Sequence, residues 1–263
     1  MRIAVAQITS GADKAENLQL VADYARRAAE QNAQVVVFPE ATMQGFGTGR
    51  LDTQAESPQG PFASEVETLA QDLGITIVLG MFSPADQVER DNKTINRIDN
   101  LAIVRGQATA EYRKIHTYDA FGYRESDTVR PGEQLCTFEL FDVTFGIATC
   151  FDIRFPEQFR QLARDGAEVI LVPASWNDGE DKLRQWRLLS SARALDSTAF
   201  VVACGQAKPQ DDRPKEAPTG IGYSRVLDPT GVVLAEAGAD PELLVVDIDP
   251  EQVAKVRKTL PVL

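Results

Sequence analysis

The sequence predicts an α/β protein of four layers, with two mixed β-sheets packed face to face between layers of helices. Three observations carry that expectation. Strand and helix patterns alternate as β-α-β-α-β from Ile3 to Leu79, and the same theme returns after Pro156. Several strands are unbroken apolar runs, as expected of strands covered on both faces.

The elements follow in order. Ile3–Ile8 alternates like a strand. Asp13 with Glu16 makes a capping-box-like helix start, and Leu18, Val21, Ala25 and Ala28 follow at helical spacing. Val35–Phe38 is a buried strand. Phe62, Val66, Leu69 and Leu73 form a second helical stripe stopped by Gly74, and Ile75–Leu79 is the next strand. Arg97–Val104 and Gln107–Arg113 flank Gly106 as a hairpin, and Leu135–Phe141 and Val143–Thr149 flank Asp142 as another. Pro156 suits the first turn of a helix whose apolar face is Phe159, Leu162 and Ala163 and which Gly166 ends. Val169–Val172 is a strand, Asp181–Ser197 a helix and Phe200–Ala203 a strand. The turn Asp228-Pro229-Thr230-Gly231 joins Ile221–Leu227 to Val232–Ala235. Leu243–Val246 and a short Glu251–Lys258 helix finish the chain. Lys208–Pro218 is a polar surface loop. With no linker or low-complexity tract, residues 1–263 are expected to form one domain.

Composition narrows the function. The 263 residues are enough to bury roughly 70–75% of the unfolded chain's surface. An apolar content of 43% with 25% charged residues belongs to a folded globular protein. Lys and Arg number 27 against 39 Asp and Glu, a balance of −12. Without a basic block there is no footprint for nucleic acid. No apolar run approaches the ~20 residues of a membrane span. The chain start lacks a signal peptide's cleavage region. Cys136, Cys150 and Cys204 are odd in number and far apart, which argues against a disulfide framework and for a cytoplasmic protein. With one His, His116, and no paired Cys spacing, a His/Cys zinc site is excluded. No metal or cofactor is expected.

Three reactive side chains each follow directly on a strand expected to be buried: Glu40 after Val35–Pro39, Lys114 after Ala108–Arg113 and Cys150 after Val143–Thr149. Ligands of α/β sheets gather at the carboxyl ends of strands. A thiol attacks only as thiolate, and a nearby cation or base supplies it. Glu40 can take the thiol proton and later activate a water. Lys114, with the Phe151 backbone N–H, can hold the oxyanion of a tetrahedral intermediate. A catalytic Cys150 is then expected to react well below the free-thiol pKa. Taken singly, each residue also has a plain reading: Cys150 as a buried small residue, Glu40 as a loop carboxylate, Lys114 as a solvated strand-end charge. His116 is read as a structural hydrogen-bonder, and Cys136 and Cys204 as packing.

The flanking residues change these odds. Phe38-Pro39-Glu40, Tyr112-Arg113-Lys114-Ile115-His116 and Cys150-Phe151-Asp152-Ile153-Arg154-Phe155-Pro156-Glu157 closely resemble the three signature segments of the nitrilase superfamily of carbon–nitrogen hydrolases, in the same order. The resemblance extends to Glu125-Ser126-Asp127-Thr128 with Pro131-Gly132, to Pro173-Ala174-Ser175-Trp176 and to Gly222-Tyr223-Ser224. It implies an α-β-β-α sandwich that forms a homodimer or higher oligomer, and a catalytic triad of Glu40 as base, Lys114 as oxyanion stabiliser and Cys150 as nucleophile. It also implies that Glu125 orients Lys114 and the substrate nitrogen. Within the superfamily the Cys150 segment looks most like the branch of omega-amidase and deaminated glutathione amidase. The implied substrate is a small carboxylate-bearing amide.

Arg154 matches the position that grips the substrate carboxylate in that branch, a task suited to a guanidinium fork. A salt bridge from Arg154 to Asp152 or Glu157 is the alternative. Trp176 stands where the branch commonly has a Phe pocket wall, and Ala194-Leu195-Asp196-Ser197 replaces its usual Glu-Asn pair. Leu51–Ser57 and Asp86–Lys93 offer no specificity feature. Nitrile and N-carbamoyl hydrolysis use the same triad and stay open, as does a binding protein on this fold that has lost its chemistry. Gly45–Gly49 and Asp119–Tyr123 are lids over the site or ordinary surface loops.

Overall fold

Alternation along the strands decides which layer each side chain enters. In the computed structural model, which describes residues 1–90, 92–120, 123–210 and 217–263, the first half runs β1 (Arg2–Gln7), α1 (Lys14–Glu30), β2 (Val35–Val37), α2 (Pro61–Leu73), β3 (Thr76–Arg90), β4 (Lys93–Arg105) and β5 (Ala110–Arg113). A small ribbon follows, β6 (Asp119–Ala120) with β7 (Tyr123–Arg124). The second half runs β8 (Cys136–Leu140), β9 (Val143–Ile147), α3 (Pro156–Arg164), β10 (Val169–Ala174), α4 (Lys182–Ser197), β11 (Phe200–Gly205), β12 (Arg225–Leu227) and β13 (Val233–Glu236). β14 (Glu242–Asp247) and α5 (Glu251–Thr259) end the chain.

One six-stranded sheet has the order β14-β1-β2-β3-β4-β5, the other β13-β12-β11-β10-β9-β8. Each has a parallel centre, β1-β2-β3 or β9-β10-β11, flanked by antiparallel strands. Ile3, Val5, Val35 and Val37 of the first sheet meet Phe145, Ile147, Val169, Leu171, Phe200 and Val202 of the second in a shared core. Their neighbours face outward. Ala4, Ala6 and Val36 pack under α1 and α2, while Ile170, Val172 and Val201 pack under α3 and α4. This is the predicted α-β-β-α order. A one-residue slip in any central strand would exchange its two faces. Both faces are apolar, so the parallel register, Ile3 beside Val35 and Val169 beside Phe145, depends on fit and not on polarity alone.

Caps sit where the sequence places them. Asp13 Oδ1 accepts the Ala15 N–H at 2.7 Å and the Glu16 N–H at 3.2 Å, and Gly74 ends α2 at φ +67°. Several strands differ from expectation. β3 continues past Leu79 to Arg90 and pairs with β4 as far as Arg90 beside Lys93, so the polar Asp86–Lys93 stretch belongs to this pair except for residue 91, which lies outside the described residues. Past Ser83 the strand is exposed or half-buried, and the apolar signal that marked it disappears. β5 is an edge strand in which Tyr112 alone is buried, not a strand covered on both faces. β9 ends at Ile147 and β12 begins only at Arg225, which leaves Ala148–Thr149 and Ile221–Ser224 irregular.

Candidate active site

Two turns with positive φ present the thiol and the base. Cys150 itself has φ +47°, a left-handed conformation costing about 1–3 kcal/mol for a side-chain-bearing residue. Asp152, fully buried, braces this elbow. Its Oδ2 accepts the Thr149 N–H at 2.8 Å and the Tyr112 hydroxyl at 2.6 Å, and its Oδ1 accepts the His116 N–H at 2.9 Å. The same side chain therefore ties the Cys150 turn to the strand that delivers Lys114. From α4, Arg193 Nη1 donates to the Ile153 carbonyl at 3.1 Å. Opposite, Ala41 at φ +60° turns the chain just after Glu40. Gly80 makes that turn possible, because a Cβ there would lie 2.6 Å from Ala41 N and 2.7 Å from Glu40 Cα.

The ionisable groups then meet. Lys114 Nζ lies 3.1 Å from Glu40 Oε1, 2.8 Å from Glu125 Oε1 and 3.1 Å from Glu125 Oε2. Glu40, Lys114, Glu125 and Cys150 are 1%, 3%, 5% and 7% exposed. Glu40 Oε1 also accepts the Asn100 amide at 2.7 Å, and its Oε2 accepts the Ser175 N–H at 2.9 Å. Glu125 Oε2 accepts the Tyr118 N–H at 2.7 Å, and Cys150 Sγ donates to the Ser175 carbonyl at 3.5 Å.

Burial works against a charge on Lys114, but Glu125, then Glu40 and Cys150, outweigh it and hold its pKa well above the ordinary lysine value. For Cys150, burial first and the Glu40 charge second push the thiol well up, against the pull of Lys114. This corrects the expectation of a thiol poised below its free pKa. The sequence pairs one cation with the cysteine, whereas the fold surrounds that cation with two carboxylates.

All seven residues singled out from the sequence, Glu40, Lys114, Glu125, Cys150, Phe151, Arg154 and Trp176, line one cavity of about 350 Å³. That is room for a small molecule. Phe46, Tyr118, Ser175, Asn177, Lys182 and Pro218 complete the wall. Phe151 packs edge-on against Tyr118 and Phe155, with centroids 5.2 and 5.6 Å apart. Trp176 Nε1 donates to the Lys182 carbonyl at 3.0 Å.

Arg154 makes neither of the two salt bridges weighed above. Its guanidinium lies 5.1 Å from the Trp176 ring centre and 5.8 Å from that of Phe151, and Nη2 donates to Gln185 Oε1 at 2.7 Å. His116 stays off the cavity wall, stacked on Phe155 with its Nδ1 2.7 Å from Asp152 Oδ1. Cys204 is buried in the core between the sheets and Cys136 is half-buried at its margin. Of the loops read as lids, Gly45–Gly49 contributes Phe46 to the wall, its ring 5.6 Å from Phe82. The Asp119–Tyr123 loop lies partly outside the described residues, and so does the Lys208–Pro218 loop.

Sequence reasoning assigned no role to Asn100 or Lys182, and Ser175 entered it only within a matching segment. Asn100 had one visible signal, a polar Asp99-Asn100 pair opening an apolar strand. A thiol, a carboxylate and a buried ammonium facing one small cavity can support nucleophilic attack, proton transfer and charge stabilisation together. Among the described residues no group of three or more His, Cys, Asp and Glu is placed to hold a metal, and no described helix is long and apolar enough to cross a membrane.

Comparison with known proteins gives the chain a family and its fold close relatives. A family profile described as carbon-nitrogen hydrolase matches residues 2–258. A hydrolase of Mycobacterium tuberculosis is 48% identical over 100% of this chain and 94% of its own. The deaminated glutathione amidase of Escherichia coli is 32% identical over 100% of this chain and 96% of its own. Among solved structures, Saccharomyces cerevisiae Nit3, a member of branch 10 of the nitrilase superfamily, superposes with a TM-score of 0.82 at 28% identity, over 99% of this chain and 94% of that one. A mutant of the amidase from Nesterenkonia sp. AN1, with acrylamide added at its active-site cysteine, superposes with a TM-score of 0.77 at 27% identity, over 99% and 98%.

Proposed function

This chain belongs to the carbon–nitrogen hydrolase family, and from that premise we propose that it is a thiol amidase that cleaves a small carboxylate-bearing amide to acid and ammonia. The observation that carries the reading is the meeting of Glu40, Lys114 and Cys150 on the wall of one cavity. Because the thiol is held protonated, its proton passes to Glu40 as Sγ attacks the amide carbon, and no standing thiolate is needed. The oxyanion that forms faces Lys114 Nζ and the Phe151 N–H. Glu40 returns the proton to the leaving nitrogen, ammonia departs, and a thioester remains on Cys150. A water that gives its proton to Glu40 then cleaves the thioester and restores the thiol.

Glu125 acts through Lys114, holding the ammonium toward the reacting carbon, and faces the leaving nitrogen from the same wall. Arg154 has a neutral partner and two aromatic faces, which leaves its positive charge for the substrate carboxylate. Trp176 closes the side of the pocket. The reaction so written uses no cofactor. On the same reading, residues 1–263 form one hydrolase domain that works in the cytoplasm as a homodimer or higher oligomer, and sedimentation at micromolar concentration checks the assembly.

The test is ammonia release from α-ketoglutaramate, deaminated glutathione, glutaramate, a simple aliphatic amide, a nitrile and an N-carbamoyl amino acid, with Cys150→Ala beside wild type. A Cys150-dependent preference for the carboxylate-bearing amides is expected. Release from the nitrile or carbamoyl compound alone would overturn the amidase reading while keeping the triad.

A further inference from the structure

Among the described residues, two cations on the cavity wall have no anionic partner. Lys114 is satisfied by Glu40 and Glu125, but Arg154 pairs only with the neutral Gln185. Lys182, the first residue of α4, makes no salt bridge among the described residues, although Asp178, Glu180 and Asp181 all lie within the four residues before it. Asp178 is engaged by Lys208 at 2.9 Å and Asp181 by Arg184 at 2.9 Å. The Lys182 main chain is pinned to the wall through the Trp176 indole at 3.0 Å. Its stem lies over Gly179, where an added Cβ would sit 3.6 Å from Lys182 Cγ.

We propose that Lys182 is a specificity-determining residue which, with Arg154, makes a two-cation wall selecting amides with two carboxylates remote from the scissile bond over amides with one. The proposal rests on the amidase reading of the cavity and narrows its substrate class. A guanidinium fork takes one carboxylate in a bidentate pair. One such anion leaves the neighbouring ammonium uncompensated, and a second carboxylate neutralises it. Burial, and after it the Arg154 charge, already lower the Lys182 pKa, as expected of two like charges sharing a partly dry wall, and Cys150 is near enough to act in the opposite sense. The chain as a whole carries −12, so this cationic patch stands against its surroundings and steers anions to the cavity.

The experiment is calorimetric binding of intact amides to the Cys150→Ala protein, using butyramide, succinamate and tricarballylate monoamide, which carry zero, one and two carboxylates. Each carboxylate is expected to tighten binding about tenfold or more, the range of charge-assisted hydrogen bonds. Adding Lys182→Met should abolish the step from one carboxylate to two, and Lys182→Arg should restore most of it. Thermal melts of each variant confirm folding. No gain from the second carboxylate, a gain that survives Lys182→Met, or no measurable binding of the dicarboxylate at millimolar concentration would each overturn the proposal. Ammonia release by wild type separates the two claims. Hydrolysis that prefers one carboxylate to none but not two to one sinks this inference alone, whereas dicarboxylate binding without Cys150-dependent hydrolysis sinks the amidase reading and leaves the two-cation wall standing.

Discussion

Lys114 Nζ sits 2.8 Å from one oxygen of Glu125 and 3.1 Å from the other, closer on average than it sits to Glu40. Glu125 is thus the principal counter-charge of the buried ammonium, and its loss should be felt at the reacting carbon. Glu125→Gln keeps an acceptor for the Tyr118 N–H but removes the charge, and kcat should fall roughly a hundredfold with the fold intact. Glu125→Ala also strands the Tyr118 N–H and breaks a buried pair, and should cost about 3–5 kcal/mol in urea unfolding. Steady-state kinetics beside denaturation curves separate the two effects.

The raised Cys150 thiol has a consequence for labelling. With its pKa well above the ordinary value of 9.0, the thiolate is scarce at neutral pH and grows as pH rises. Alkylation of Cys150 by iodoacetamide should therefore be slow at neutral pH and still climbing above pH ~9. Glu40→Gln removes a charge that disfavours the thiolate, so this variant should alkylate faster than wild type at neutral pH while losing amidase activity. A wild-type profile that levels off below pH ~8 would contradict this account.

Asp152 gathers donors from Thr149, Tyr112 and His116 around the Cys150 elbow. Asp152→Ala leaves these buried donors unpaired and should destabilise the protein by about 2–4 kcal/mol. Asp152→Asn retains the volume, yet its amide cannot accept every donor, so a smaller stability loss should accompany a fall in kcat. Thermal melts and kinetics on the two variants check the order.

Gly80 is a remote position with a direct effect on the base. A methyl group there would meet the backbone of Glu40 and Ala41 at 2.7 and 2.6 Å, and no flexible side chain can move aside. Gly80→Ala should cost about 1–3 kcal/mol and lower kcat by roughly tenfold or more through displacement of Glu40.

The sandwich was legible because its central strands are long apolar runs and its helices carry clear stripes and stops, as at Val35–Val37 and Gly74. Glu40, Lys114 and Cys150 were legible as reactive groups after strands, whereas Glu125, Arg154 and Trp176 entered only through the resemblance. Ser175 was not, because its role is a main-chain bond to Glu40, 135 residues away. Asn100 and Lys182 look like any polar residue in a strand or at a helix start until the fold brings Asn100 against Glu40 and Lys182 to the cavity wall. The outer half of β3 was lost for a simpler reason, since residues facing water on a hairpin carry no apolar signal. The sign of the thiol shift could not be read either, as it depends first on the burial of Cys150 and then on the charge of Glu40, brought in from a distant segment.

The central claim is that Cys150 forms a thioester with the acyl part of the substrate. Rapid-quench mass spectrometry during turnover of glutaramate tests it most directly. An acyl adduct on the Cys150 peptide is expected within the first turnover and not in Cys150→Ala, which should release no ammonia above background. Full ammonia release by Cys150→Ala, or turnover with the adduct on another residue, would contradict it.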